Sequence, residues 1–300
     1  VNRAAAENSN NPAPRGGDVA FAFVQALANE LSTGTQELPG FPLVVERIQH
    51  VLNDPNADIG RVAAAVGNEP VIAAQIVRMA NSAALNPARI PAVDLRTAVA
   101  RVGLDSVRTA TLAFAMRELR DAQDLAGLET QLEGLWRRSV QVASLSQAVA
   151  RRFTQLNAEA AMLAGLLQGI GRLYILARAS KHRALFSDEQ TYRNIEQTWH
   201  VSIATALLES WGIAAEIVQA VQDSEDLDRD TRGPVTLSDV LMVAALLADF
   251  DGTPDTLRLR VQGARPCQRL QLDYDACESF LTTAAQEIAA LREALSSTSV

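Results

Sequence analysis

The chain has 300 residues, 48% apolar and 5% aromatic, with a formal net charge of −8. That suffices for a continuous core in one large or two modest domains, while the negative charge disfavours nucleic acid, whose backbone needs a concentrated Lys/Arg surface. Abundant Ala, Leu and Val with few aromatics favour helices packed through aliphatic side chains, so the expected fold class is all-α, a multi-helix bundle.

Two cysteines, Cys267 and Cys277, are too few for a disulfide framework and lack CxxC spacing, so they read as reduced thiols in a tail outside the core. The apolar runs stop short of the ~20 residues a bilayer requires, and the N-terminus has no basic patch followed by an apolar core. No membrane association is expected, and the cytoplasm is the default compartment.

Residues 1–17, rich in Asn, Pro, Ala and Gly, read as a disordered leader. Asp18 is placed to cap a helix through about Leu31, with Phe21, Val24, Leu27 and Leu31 on one stripe and Gly34 after its end. Leu38-Pro39-Gly40-Phe41-Pro42 breaks this helix and opens a second one that runs to about Leu52. Asp58 caps a short helix from Ile59 to Val66 that Gly67 ends. The stretch EPVIAAQIVRMANSAAL, Glu69 to Leu85, places Ile72, Ile76, Val77 and Ala80 on one face and frays at Asn81-Ser82. A turn with Pro87 and Pro91 leads to DLRTAVARVG, with Gly103 as stop, and Asp105 caps a helix through about Leu119. The segment from Ile59 to Asn81 faintly resembles a helix-turn-helix, but the acidic balance favours a pair of core helices.

Gln123 to Gly127 marks a lobe boundary. A long helix, about Glu129 to Phe153, follows, and Asn157 caps the next. That helix carries LAGLLQGIGRLYIL, Leu163 to Leu176, apolar but interrupted at Gln168-Gly169-Ile170-Gly171. Its glycines, with Gly165, have no P-loop spacing and read as permitting close helix packing or a kink. Further helices are expected over Asn194–Gly212 and Ala214–Gln222. The acidic DSEDLDRD, Asp223 to Asp230, reads as a solvated loop. Pro234 opens the strongly apolar LSDVLMVAALLADF, which ends at Asp249. A polar linker, Asp251 to Asp273, precedes a last helix, Tyr274 to Leu295.

EPVIAAQIVRMANSAAL, AVARVGLDSVR, LWRRSVQVASLSQAVARRF, AAMLAGLLQGIGRLYIL and HVSIATALLESWGIAAEIVQAV, in that order, resemble the HDOD family, bacterial signalling domains related to the HD metal-dependent phosphohydrolases. The likeness covers roughly Leu38 to Phe250. It implies a helical N-terminal subdomain on an HD-like helical core, which the element pattern places at 18–122 and 123–250, with 251–300 as linker and C-terminal helix. It also implies a regulatory or scaffold module in two-component or cyclic-dinucleotide signalling.

HD phosphohydrolases hold divalent metals with a His, an adjacent His-Asp pair and a later Asp, because several ligands must converge to activate water. The first position is matched here by Arg138, a permanent cation, and the pair by Gln168 and Gly169. Only the last has a counterpart, Asp249. His200 matches a His common in HDOD domains, eleven residues ahead of Trp211, and reads as a packed or capping residue or as a pocket-lining one. His50 and His182 match no motif. Arg138 either pairs with an acid such as Glu133 or Glu209 or grips a phosphate or carboxylate bidentately. Arg137, Arg151, Arg152 and Arg172 read as exposed helix charges. There is no GxSxG elbow.

The resemblance therefore implies a non-catalytic signalling module that needs no metal or cofactor and binds a partner protein through a groove between its lobes. It leaves a homo-oligomer open. The alternative is a divergent phosphohydrolase or a nucleotide or cyclic-dinucleotide receptor, using a pocket of Arg138, Gln168, Gly169, His200 and Asp249.

Overall fold

A computed structural model describes residues 16–33, 42–82, 85–86, 88–120, 125–229, 231–250 and 253–296. Most of the expected leader, the Gly34 stop, Leu38 to Phe41, Pro87 and the start of the lobe boundary lie outside these residues. Among the described residues every regular element is a helix and there is no strand.

The first helices are α1 (Gly16–Thr33), α2 (Leu43–Leu52), α3 (Ile59–Gly67), α4 (Pro70–Ala80), α5 (Leu95–Val102) and α6 (Leu104–Arg120). Their ends follow local chemistry. Asp58 accepts from the Arg61 N–H at 2.7 Å and Asp94 from the Thr97 N–H at 2.8 Å, each satisfying an orphan donor of a first turn. Gly103 ends α5 at φ 83°, where a side chain would be strained. The described part of α1 begins at Gly16, which places Asp18 within the helix, not ahead of it. Helices α3 and α4 bury Val62, Val66, Ile72 and Ile76, as a core pair should. Asn81, just past α4, holds the following loop by accepting from the Ala92 N–H at 2.7 Å and donating to the Ala92 carbonyl at 3.3 Å.

The second half is built on α7 (Glu129–Phe153), which packs against α8 (Ala158–Leu167), α12 (Leu237–Ala248) and α16 (Ala285–Ser296). Between them run α9 (Ile170–Ala179), a 3-10 turn over Arg183–Ser187, α10 (Glu189–Ser210) and α11 (Ala215–Asp223). Asn157 caps α8 as expected, accepting from Glu159 and Ala160 N–H groups. Every residue of α8 from Ala160 to Leu167 is buried, which marks a helix enclosed on all sides. The stretch Ala158–Ala179 is, at 22 residues, long and apolar enough to cross a membrane, contrary to the expectation that no run approaches that length. Its apolar character is accounted for by the core, since 94% of it is buried within the protein.

The break between α8 and α9 falls at Gln168-Gly169, and the glycines around it set the packing. A Cβ on Gly165 would stand 2.7 Å from the Ala143 Cα of α7, and one on Gly171 would stand 1.9 Å from the His200 carbonyl oxygen of α10. Both crossings require glycine.

The C-terminal region departs most from expectation. The segment read as a polar linker contains α13 (Pro254–Gly263) and α14 (Arg265–Arg269), and the last helix is split into α15 (Tyr274–Thr283) and α16 at Ala284. Cys267 and Cys277 are free but fully buried in the hydrophobic core, not in an outlying tail, and burial pushes their thiols up to about 12 and about 11. Arg269 joins α14 to α12, donating through Nε to Asp239 Oδ1 at 2.8 Å and through Nη2 to Oδ2 at 3.1 Å. It also donates to the Thr231 and Pro234 carbonyls. The nearly buried Asp239 carboxylate is thus compensated as a buried charge must be.

Candidate functional site

Two ion-pair clusters converge where α7, α9 and α12 meet α13. Arg138 lies at the edge of the buried face of α7, one residue before buried Ser139. Asp249 is the C-cap of α12, where that apolar helix reaches solvent. The Arg138 guanidinium grips it bidentately, Nη1 on Oδ1 and Nη2 on Oδ2, the latter at 3.3 Å. Arg260 of α13 adds a second cation, its Nη1 3.8 Å from Asp249 Oδ2.

The second cluster starts from Arg172, one helical turn beyond Gln168. Its Nη2 lies 2.5 Å from Glu225 Oε1 and 3.1 Å from His200 Nε2, while His200 Nε2 lies 3.0 Å from the same Glu225 oxygen. Glu225 accepts from His200 Nε2–H, and His200 Nδ1 is buried with no hydrogen-bond partner among the described residues. The hydrogen bond from His200, and then the charges of His200 and Arg172, hold the Glu225 carboxyl down at about 2 against the opposing effect of burial. Burial has the upper hand at Glu196, one turn before His200, and raises its pKa although Arg172 and His200 oppose the rise.

A cavity of about 340 Å³ opens between the clusters, with Arg138, Gln168, Arg172, Glu225, Asp249 and Arg260 among its polar lining. Leu241, Met242, Ala245 and Leu246 of α12 form its apolar wall. A separate groove of about 450 Å³ lies between α2 and the end of α10, lined by Glu46, His50, Glu209 and Trp211 among others.

Of the five residues expected to share a pocket, Arg138, Gln168 and Asp249 do so. Gly169 does not, because it packs against α7, where a Cβ would stand 2.9 Å from Ser139 Oγ. His200 does not line the cavity either: it is 2% exposed and reaches the cavity only through Arg172 and Glu225. Arg138 pairs with Asp249, not with Glu133 or Glu209. Arg137, Arg151 and Arg152 are exposed as expected, but the Arg172 side chain is only 19% exposed. The acidic segment read as a solvated loop sends Glu225 to the site and Asp223 to Ser238 and Arg229. Three participants were therefore missed. Arg172 was within reach of local reasoning, since residues four apart share a helix face. Glu225 and Arg260 carry no such local signal.

The HDOD domain family model matches residues 38–227, and the chain belongs to this family of HD-related helical domains. No curated protein matches it. Among solved structures it is similar to a candidate metal-dependent phosphohydrolase from Shewanella amazonensis SB2B, at 25% identity and TM-score 0.69, covering 92% of this chain and 99% of that one. It is also similar in fold to an HDOD domain protein of unknown function from Geobacter sulfurreducens, at 24% identity and TM-score 0.62, covering 93% of this chain and 99% of that one.

The HD relationship implies a divalent metal, and the side chains at the cavity do not fit one. A guanidinium cannot donate a lone pair, Gln168 offers a neutral amide, and the two carboxylates already neutralise arginines. Among the described residues no three His, Cys, Asp or Glu side chains are grouped to hold a metal ion.

Proposed function

We propose that the chain is a non-catalytic signal-transduction module whose HD-type pocket holds ion pairs in place of metal ligands and which acts by binding signalling proteins. The observation that carries this reading is the bidentate Arg138–Asp249 pair at the cavity mouth, with Gln168 beside it. A fixed cation at this place repels a divalent ion, and metal-activated water is the source of nucleophile in HD chemistry. Partner contact through the groove between α2 and α10 belongs to the same proposal, since that groove joins the two halves of the fold.

The test is metal analysis of gently purified protein together with assays on nucleotides and phosphomonoesters. The expected result is no stoichiometric divalent metal and no hydrolysis above background. One bound metal per chain with turnover would instead support the divergent-phosphohydrolase reading. Affinity capture with mass spectrometry, run beside Arg138→Ala, is expected to return a signalling protein with the unaltered chain.

A further inference from the structure

The cavity between the ion pairs also has the makings of a ligand site. Three guanidinium groups, from Arg138, Arg172 and Arg260, enter it from α7, α9 and α13. Arg138 is engaged in the fork geometry by which arginine recognises oxyanions, but the oxyanion is the chain's own Asp249. That carboxylate is 39% exposed at a helix end, so it can swing to solvent without unfolding anything. Both Asp249 and Arg260 lie beyond residue 227, where the family match ends.

We infer that this cavity binds a small phosphate monoester, for which Asp249 is an intramolecular stand-in that the ligand displaces. The charge balance selects the ligand class. Among the side chains that line the cavity three arginines face two carboxylates, Asp249 and Glu225, an excess of one positive charge within the lining, with Glu196 acting on Arg172 from outside it. A monocarboxylate replacing Asp249 exchanges like for like. A phosphate monoester brings close to two charges and three acceptor oxygens, and so engages Arg138 and Arg260 while Glu225 stays on Arg172 and His200. The volume of about 340 Å³ exceeds what a phosphate fills, and the Leu241, Met242 and Leu246 wall suits an apolar ester group.

The inference rests on the metal-free reading of the pocket, and metal analysis of the same preparation separates the two failures. Calorimetric titration of the full chain with phenyl phosphate at low salt, with phenol and inorganic phosphate as parallel arms, is the test. Asp249→Asn, which removes the internal competitor, should tighten phenyl phosphate binding by about tenfold, equivalent to ~1.4 kcal/mol. Arg260→Gln, at a half-exposed position where folding is not at stake, should weaken binding, and Arg138→Gln should abolish it. Phenol should not bind, and inorganic phosphate should bind more weakly than the ester. The inference is overturned if Asp249→Asn binds no more tightly than the unaltered chain, if neither binds, or if Arg260→Gln leaves affinity unchanged.

Discussion

Glu225 shows how one side chain can join elements that the sequence leaves far apart. It follows α11, yet its carboxylate meets Arg172 of α9 and His200 of α10. Because its pKa falls from the usual 4.5 to about 2, the folded state binds the proton less well than the unfolded chain does. The resulting stability is fully present above about pH 4.5 and is lost as pH falls towards 2. Glu225→Gln should therefore lower the melting temperature at pH 7 by a few degrees, a modest figure because the side chain is half-exposed and screened. The gap between variant and unaltered protein should narrow as melts are repeated from pH 4.5 downwards; a constant gap would mean the glutamate is not ionically held. The same residue explains the limit of sequence reading at the site. DSEDLDRD is locally indistinguishable from a solvated acidic loop, and only the tertiary approach of α9 and α10 selects Glu225 from its neighbours. Arg260, in a polar stretch that proved helical, is hidden for the same reason. Arg138 and Asp249 were each legible from the family motif, but their pairing, across 111 residues, was not.

At the level of elements, the caps made most helix boundaries legible, since Asp58, Gly103 and Asn157 act through neighbours two to four residues away. The glycines divide more finely. Gly134 and Gly171 both sit in helices, but a Cβ added to Gly134 of α7 would meet nothing within 4 Å, whereas one on Gly171 would face the α10 backbone at 1.9 Å. Gly134→Ala should stabilise by about 0.5–1 kcal/mol, because alanine loses less backbone freedom on entering a helix. Gly171→Ala must push α9 and α10 apart, an overpacking cost of about 3 kcal/mol or more. Chemical denaturation of the two variants should shift in opposite directions. Equal shifts would show that α9 and α10 do not cross as closely as their backbones indicate.

For the whole molecule, the family-matched segment and the folding unit differ. The match ends at residue 227, but α12, beginning at Leu237, buries ten of its residues against α7, α8, α11 and the helices that follow. Burying Leu237, Val240, Leu241, Val243, Leu246 and Leu247 is worth about 1.5–3 kcal/mol each. The sum, on the order of 10 kcal/mol before the cost of ordering the helix is set against it, is large beside the marginal net stability of an ordinary domain. Removing α12 would also expose the apolar faces it covers on α7 and α8. A fragment of residues 38–227 should therefore lack a cooperative thermal transition, while the full chain melts in one. A fragment of residues 38–250 retains α12 but loses Arg269, leaving Asp239 as a buried charge without its guanidinium. It should melt cooperatively but at a lower temperature than the full chain, because an uncompensated buried carboxylate costs about 3–5 kcal/mol. A cooperative melt of the 38–227 fragment at the full-length temperature would show that the core closes without α12, and that the C-terminal helices are an ornament to the fold instead of part of it.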